Sequence, residues 1–313
     1  MNAPSKIDMT DEQFRASVVG ASEVAALFDA SPWLTRFELW HRKTGSISTP
    51  AFNATKPDGS PENERIYWGV KLEKAIVEAA CERWGYEPLE TPHRLDNGKG
   101  LGGHPDQRVM CPQRGRGILE VKTADWLVAK EWGDEPPLNY LLQSQTYQGL
   151  DKASWGDLIV LVGGNDLRRF QYDFRPKIYA DIEARVTEFW QSVESGKAPR
   201  PDYAKDGRAV AELYGNPAAT ATDLRRDNRM PELLREYLEA KEAEALAGAR
   251  VDAAKCELLE KMGDHAEAIV DGFTCRAPLV GGKPDSVITA DMVGQVVKGR
   301  AAYRRFTIKE KAQ

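Results

Sequence analysis

Apolar side chains recur three or four residues apart over 65–84, where Ile66, Val70, Ala75, Ile76, Ala79 and Ala80 predict one long helix ended by Gly85. Ahead of it, two short helices are expected within 10–44, the first capped by Thr10 or Asp11 and the second by Ser22, with a third beginning near Phe37. The stretch 49–64 is rich in Pro, Gly and Asn and reads as a loop. Beyond Gly85 the pattern shortens to strands near 86–95 and 104–111, and "PQRGRG" turns the chain into "ILEVKT". Asp106 and Glu120 are thus expected on adjacent antiparallel strands.

A helix over 139–150 precedes "DLIVLVG" and "RRFQYDF", two strands joined by a tight turn. The stretch 176–196 then reads as a helix with Pro176 near its start and Gly196 at its stop. The expected architecture is α/β, a mixed central sheet flanked by helices over residues 1–200. Residues 201–230 read as a linker. In 231–313, Leu233, Tyr237, Ala240, Ala243, Ala247, Val251, Ala254, Leu258 and Met262 mark one stripe of a helix about 45–50 Å long. A hairpin around Asp271-Gly272 and a closing strand in "YRRFTIK" complete this helical, coiled-coil-like extension.

Composition narrows the class. At 313 residues, 42% hydrophobic and 29% charged, the chain is an ordinary globular protein. No run reaches the ~20 apolar residues of a membrane span, and the N-terminus lacks the apolar core of a signal peptide, so a cytoplasmic location without membrane partners is expected. Four scattered cysteines, none in a C-x-x-C pair, argue against a disulfide framework, a zinc ribbon and an iron–sulfur cluster. The net charge of −5 does not advertise a nucleic-acid binder, but Arg114 with Arg116, Arg225 with Arg226 and Arg229, and Arg304 with Arg305 form local basic clusters. Trp33, Trp40, Trp68 and Trp126 read as core, with one exposed ring left to wedge a DNA end or stack on a base.

The chemistry lies in "HPDQRVMCPQRGRGILEVK". Glu120 and Lys122, two apart on a strand, share a face, while Val121 points into the core and leaves its carbonyl available. Hard carboxylate and carbonyl oxygens suit Mg²⁺, and a nearby cation suits an attacking water. Glu73 lies four residues after Gly69 on the long helix and can reach the strands from above. Gln143 and Tyr147 share a helix face, with Gln145 pointing elsewhere.

The ordered set Gly69-x-x-x-Glu73, Pro105-Asp106, Glu120-Val121-Lys122 and Gln143-x-Gln145 resembles the YqaJ-type viral recombinases. These are the PD-(D/E)XK nucleases that include bacteriophage lambda exonuclease. Arg15, Ser22 and Ser31-Pro32-Trp33 resemble the family's N-terminal stretch, and the likeness runs over about residues 14–195. It implies a restriction-endonuclease-like core and a phosphodiester hydrolase. Asp106, Glu120 and the Val121 carbonyl would bind Mg²⁺ (or Mn²⁺), with Glu73 acting through a second metal or a coordinated water. Lys122 would position and activate the nucleophilic water. Gln145, ahead of Gln143, would contact phosphate or that water, and Arg15 and Ser22 would bind a 5′-phosphate. Tyr147 and His104 are further candidate DNA contacts.

The resemblance further implies 5′-to-3′ resection of double-stranded DNA ends, a single-strand annealing partner, a trimeric ring and a phage or prophage gene in a bacterial host. Members commonly carry Gly after the motif Asp, where this chain has Gln107, expected to crowd the site or touch DNA. The Gln143-x-x-x-Tyr147 spacing also fits the broader RecB-like nucleases. Two alternatives use the same core: a structure- or sequence-specific endonuclease, and a non-catalytic DNA-binding or assembly module.

Overall fold

In a computed structural model of the chain, residues 9–50, 54–133, 135–270 and 273–278 are described. One compact unit ends at Tyr214 and a second begins at Gly215.

The first unit begins with α1 (Asp11–Ser17), capped by Thr10, whose hydroxyl accepts from the Gln13 N–H while the Gln13 side chain bonds back. The chain continues through β1 (Val19–Gly20), a 3₁₀ turn (Val24–Phe28) and α2 (Arg36–Lys43). The expected second helix is this single 3₁₀ turn. Ser22 does not cap it; the cap position is Glu23, whose carboxylate instead accepts from the Gly20 N–H and pairs with Lys43.

The long helix α3 (Glu64–Trp84) starts on an Asn63 cap and ends where Gly85 takes the left-handed conformation at φ 68°. Then follow β2 (Glu87–Leu89), β3 (Leu95–Asp96), β4 (Leu101–Gly103), β5 (Gln107–Cys111) and β6 (Gly115–Ala124). After α4 (Trp126–Glu131) and α5 (Leu138–Asp151), strands β7 (Trp155–Val162) and β8 (Asp166–Asp173) complete the main sheet. Its order is β2-β5-β6-β7-β8, with β6 and β7 parallel and the other neighbours antiparallel. Two parallel neighbours require a crossover, and α5 lies in the connection that supplies it. The result is an α/β core, a mixed sheet flanked by helices.

The sheet is covered on both faces. Ile76, Val77, Ala80 and Cys81 of α3 pack with Leu119, Val121 and Ile159. Elsewhere Leu142 of α5 meets α6 (Pro176–Glu194) through Ile182, Val186 and Phe189. Trp155 lies so close over Gly117 that a Cβ there would stand 2.2 Å from the indole, so this strand position tolerates only glycine.

Beside this sheet, β1 pairs in parallel with β4, and β3 pairs with β4 antiparallel. The expected strand 104–111 therefore divides: His104, Pro105 and Asp106 link β4 to β5. Because Gln107 is opposite Leu119, Asp106 leaves its link beside the β6 carboxylate.

Within the stretch read as a linker, α7 (Gly207–Leu213) folds, with Ala209 buried against Phe37 and Ile47. The second unit contains α8 (Met230–Met262) and the antiparallel pair β9 (Glu267–Val270) and β10 (Phe273–Arg276). The apolar stripe of α8 is solvent-facing: Leu233, Tyr237, Val251 and Leu258 are all exposed. The expected turn at Asp271-Gly272 and the strand in "YRRFTIK" lie outside the described residues, as do Arg304 and Arg305. Among the expected core tryptophans, Trp40 is buried while Trp33, Trp68 and Trp126 are exposed. No helix among the described residues is long and apolar enough to cross a membrane.

Candidate active site

Strand β6 carries Val121 into the α3-facing core and presents Glu120 and Lys122 together, as its two-residue period requires. Asp106 closes on them from the β4–β5 link: its Oδ2 accepts from the Val121 N–H at 2.7 Å. Lys122 donates to Glu120 Oε1, and Gln143 Nε2 donates to the same oxygen at 2.5 Å. The second carboxylate oxygen, Glu120 Oε2, is buried and has no hydrogen-bond partner.

These contacts set the electrostatics. Burial first, and then the Asp106 charge, push the Glu120 carboxyl up to about 8, against the pull of Lys122. Burial also raises Asp106, with Lys122 and the Val121 N–H opposing it. On α3, half-buried Glu73 is raised by desolvation and by Asp106, so the three carboxylates feel one another. Burial works to lower Lys122, and Glu120 and Asp106 more than reverse it. The two carboxylates thus favour the charged form of Lys122.

A fully buried carboxylate oxygen with no donor, beside a second carboxylate, is a deficit that a hard divalent cation can fill. The donor set is all oxygen in character. The residues fit Mg²⁺ or Mn²⁺.

The amide expectation is corrected. Gln145 is fully buried away from the carboxylates: its Nε2 donates to the Asp173 carbonyl at 2.9 Å and its Oε1 accepts from the Arg175 N–H at 2.7 Å. It fastens the β8–α6 junction, and Gln143 occupies the cluster. Gln145→Ala is expected to cost about 1–3 kcal/mol in a denaturant melt, because a fully buried side chain and its two bonds to part-buried backbone groups are lost. Gln143→Ala removes a buried bond to Glu120 Oε1 and is expected to cost a similar amount.

Tyr147 is also buried, and its hydroxyl donates to the His104 carbonyl at 2.9 Å, so it holds the link into Asp106. A Cβ on Gly103 would stand 3.0 Å from its ring, which is why glycine precedes this link. Gln107 turns outward to the Leu89 carbonyl and Thr91, leaving Asp106 uncrowded.

Two residues escaped the sequence reading. Tyr140 lies close enough to Lys122 and Glu120 for their charges to act on it, and its spacing from Gln143 and Tyr147 on α5 was the available signal. Asp11 joins His93, Arg94 and His104 beside the link, a grouping that separations of about eighty residues conceal.

The N-terminal candidates come near through the β1–β4 pairing, since β4 runs directly into His104. Arg15 is exposed on the last turn of α1, and its charge acts on the His104 ring. Lys43 joins the Arg15 carbonyl (2.7 Å) to Glu23, the neighbour of exposed Ser22. By contrast, Arg114 pairs with buried Asp157 and Arg116 approaches Asp151, so this basic cluster is spent inside the fold.

Residues 12–149 match the YqaJ-like viral recombinase domain family. YqaJ of Bacillus subtilis (strain 168) is 27% identical over 316 residues, spanning 95% of this chain and 92% of its own. An alkaline exonuclease (LHK-Exo) from Laribacter hongkongensis is 21% identical in structural comparison, with a TM-score of 0.47, over 64% of this chain and 99% of that one. A phage-related exonuclease from Haemophilus somnus 129PT is 14% identical at a TM-score of 0.36, over 62% and 89%.

Proposed function

We propose, from the match of residues 12–149 to the YqaJ-like viral recombinase domain family, that the chain is a divalent-metal-dependent DNA nuclease that resects double-stranded ends 5′ to 3′ for recombination. The observation that carries this reading is the convergence of Asp106, Glu120, Lys122 and Gln143 around the partnerless Glu120 Oε2.

Asp106 and Glu120, with the Val121 carbonyl and Glu73, would hold Mg²⁺ or Mn²⁺. When bound, such an ion supplies Lewis acidity toward a phosphodiester and acidifies water. The protein's own groups do the rest. Lys122, held protonated, offsets charge that develops on the phosphate and orients the attacking water. Gln143 fixes the Glu120 carboxylate through one oxygen and leaves the other without a donor, where it would be available to a divalent ion. Tyr147 and Gly103 set the height of the link that delivers Asp106. Arg15 and Ser22 would receive the 5′-phosphate of the strand end, at the far side of His104.

The partners on this reading are a duplex end, a single-strand annealing protein and two further copies in a trimeric ring, in the cytoplasm of a bacterial host. An end-dependent enzyme degrades a linear duplex and leaves a closed circle intact; cutting of the circle identifies an endonuclease. With end-labelled duplexes, a 5′-phosphorylated strand is expected to shorten faster than its 5′-hydroxyl counterpart. Arg15→Ala is expected to reduce that preference by about 10-fold, the loss of one charge-assisted contact. Equal rates for both ends in the unaltered protein would sink the 5′-phosphate role.

A further inference from the structure

We propose that Asp11, His93 and His104 form a binding site for a divalent transition-metal ion of the zinc class, separate from the Asp106–Glu120 pair. The three side chains come from different segments: the first turn of α1, the link between β2 and β3, and the link between β4 and β5. His93 Nε2 stands 2.9 Å and His104 Nε2 3.4 Å from the same oxygen, Asp11 Oδ1. All three ligand atoms lie within 4.8 Å of one another. Tetrahedral zinc with bonds of about 2.0–2.1 Å places its ligands roughly 3.3–3.4 Å apart, so little movement separates this arrangement from a coordination shell.

The imidazoles meet at 67° with centroids 5.0 Å apart, which sends their nitrogens toward one point from two directions. Nor are the ligand atoms all satisfied by one another. His104 Nε2 is a buried atom whose ion-pair neighbour, Asp11 Oδ1 at 3.4 Å, is too poorly aligned for a hydrogen bond, and its ring packs edge-on against Phe14. A buried ring nitrogen left without a partner is uncommon, and a metal ion satisfies it.

The surroundings select the kind of ion. Arg94 donates to Asp11 Oδ1 at 2.5 Å and occupies part of its charge, serving as the outer partner that orients a ligating carboxylate. Affinity then rests on the two imidazoles, which favour Zn²⁺, Co²⁺ or Ni²⁺ over Mg²⁺. The His93 side chain is 71% exposed, so ions reach the site from solvent. Three protein ligands leave a fourth position for water or an anion. An ion held there ties α1 to the segment leading into Asp106.

The test is calorimetric titration of Zn²⁺ into the untagged full chain in saturating Mg²⁺, with Co²⁺ absorption as a second readout of ligand geometry. One ion per chain is expected, weakened at least about 10-fold by His93→Ala and by His104→Ala, and unchanged in Glu120→Gln. His93 is a surface side chain, so His93→Ala melts like the unaltered protein and its loss of binding is not a loss of fold. Absence of zinc binding, or binding indifferent to His93→Ala, overturns the site. Zinc lost in Glu120→Gln but kept in His93→Ala overturns it as well, by placing the ion at the carboxylates. The readout is binding, so the nuclease reading stands or falls separately.

Discussion

Glu120→Gln is expected to lower the rate of DNA hydrolysis by at least about 10³-fold while leaving the protein folded. The amide keeps the size of the side chain, and its carbonyl can still accept from Gln143 as Glu120 Oε1 does. What it loses is the charge, and with it the oxygen that the fold leaves without a donor. Lys122→Ala is expected to fall by about 10²–10⁴-fold for a different reason, because the cation beside the scissile phosphate disappears. Raising the Mg²⁺ concentration is expected to recover part of an Asp106→Asn defect and none of the Lys122→Ala defect. Rates on an end-labelled linear duplex decide the matter. Full activity in Glu120→Gln, or no hydrolysis by the unaltered protein with either Mg²⁺ or Mn²⁺, would remove the basis for an enzyme here.

The same substitution is expected to stabilise the metal-free protein, increasingly so as pH rises. Glu120 titrates near 8 in the fold, against an ordinary glutamate value of 4.5 in the unfolded chain. The folded state therefore holds a proton that the unfolded state has released. The stability associated with that proton is complete below about pH 4.5 and is lost as pH rises through about 8. Glutamine has no such proton to lose, so the gap in melting temperature between Glu120→Gln and the unaltered protein should widen between pH 5 and pH 9.

Several degrees are expected, since about 1 kcal/mol moves the melting point by roughly 2–4 °C in a domain of this size. Adding Mg²⁺ at pH 8 should close the gap by stabilising only the protein that retains the carboxylate. Thermal melts in chelator and in Mg²⁺ at several pH values check this. A gap that stays constant with pH would mean that Glu120 is not strained by its surroundings.

The family resemblance was legible because each motif is short and local. Gly69 and Glu73 sit on one helix and Glu120 and Lys122 on one strand, where the period sets their faces, while Asp106 lies in the link next to β5; the structure gathers the carboxylates within one another's field. Element types were equally readable for α3, α5, β6, β7 and β8, where long periodic runs and clear caps agree. The misreadings cluster where the outcome depends on another segment. Ser22 looked like a cap, but the turn after it is 3₁₀ and its cap position is Glu23. Trp33, Trp68 and Trp126 looked like core because large apolar rings usually are, yet all three are exposed.

By itself the sequence determined the order of the long elements α3, β6, α5, β7, β8 and α6, the pairing of Glu120 with Lys122 on one face, and the all-oxygen character of the acidic site. Those follow from bonding along a single element, where two or four residues set a direction. Only the tertiary structure decided that Gln143 and not Gln145 meets Glu120, that Gln107 turns away, that Tyr147 anchors the His104 carbonyl, and that Asp11 stands against two histidines about eighty and ninety residues later. Spacing tells which residues of a helix share a face. It does not tell which face the crossover between β6 and β7 presses against the sheet, because that is set by the apolar surface buried between them.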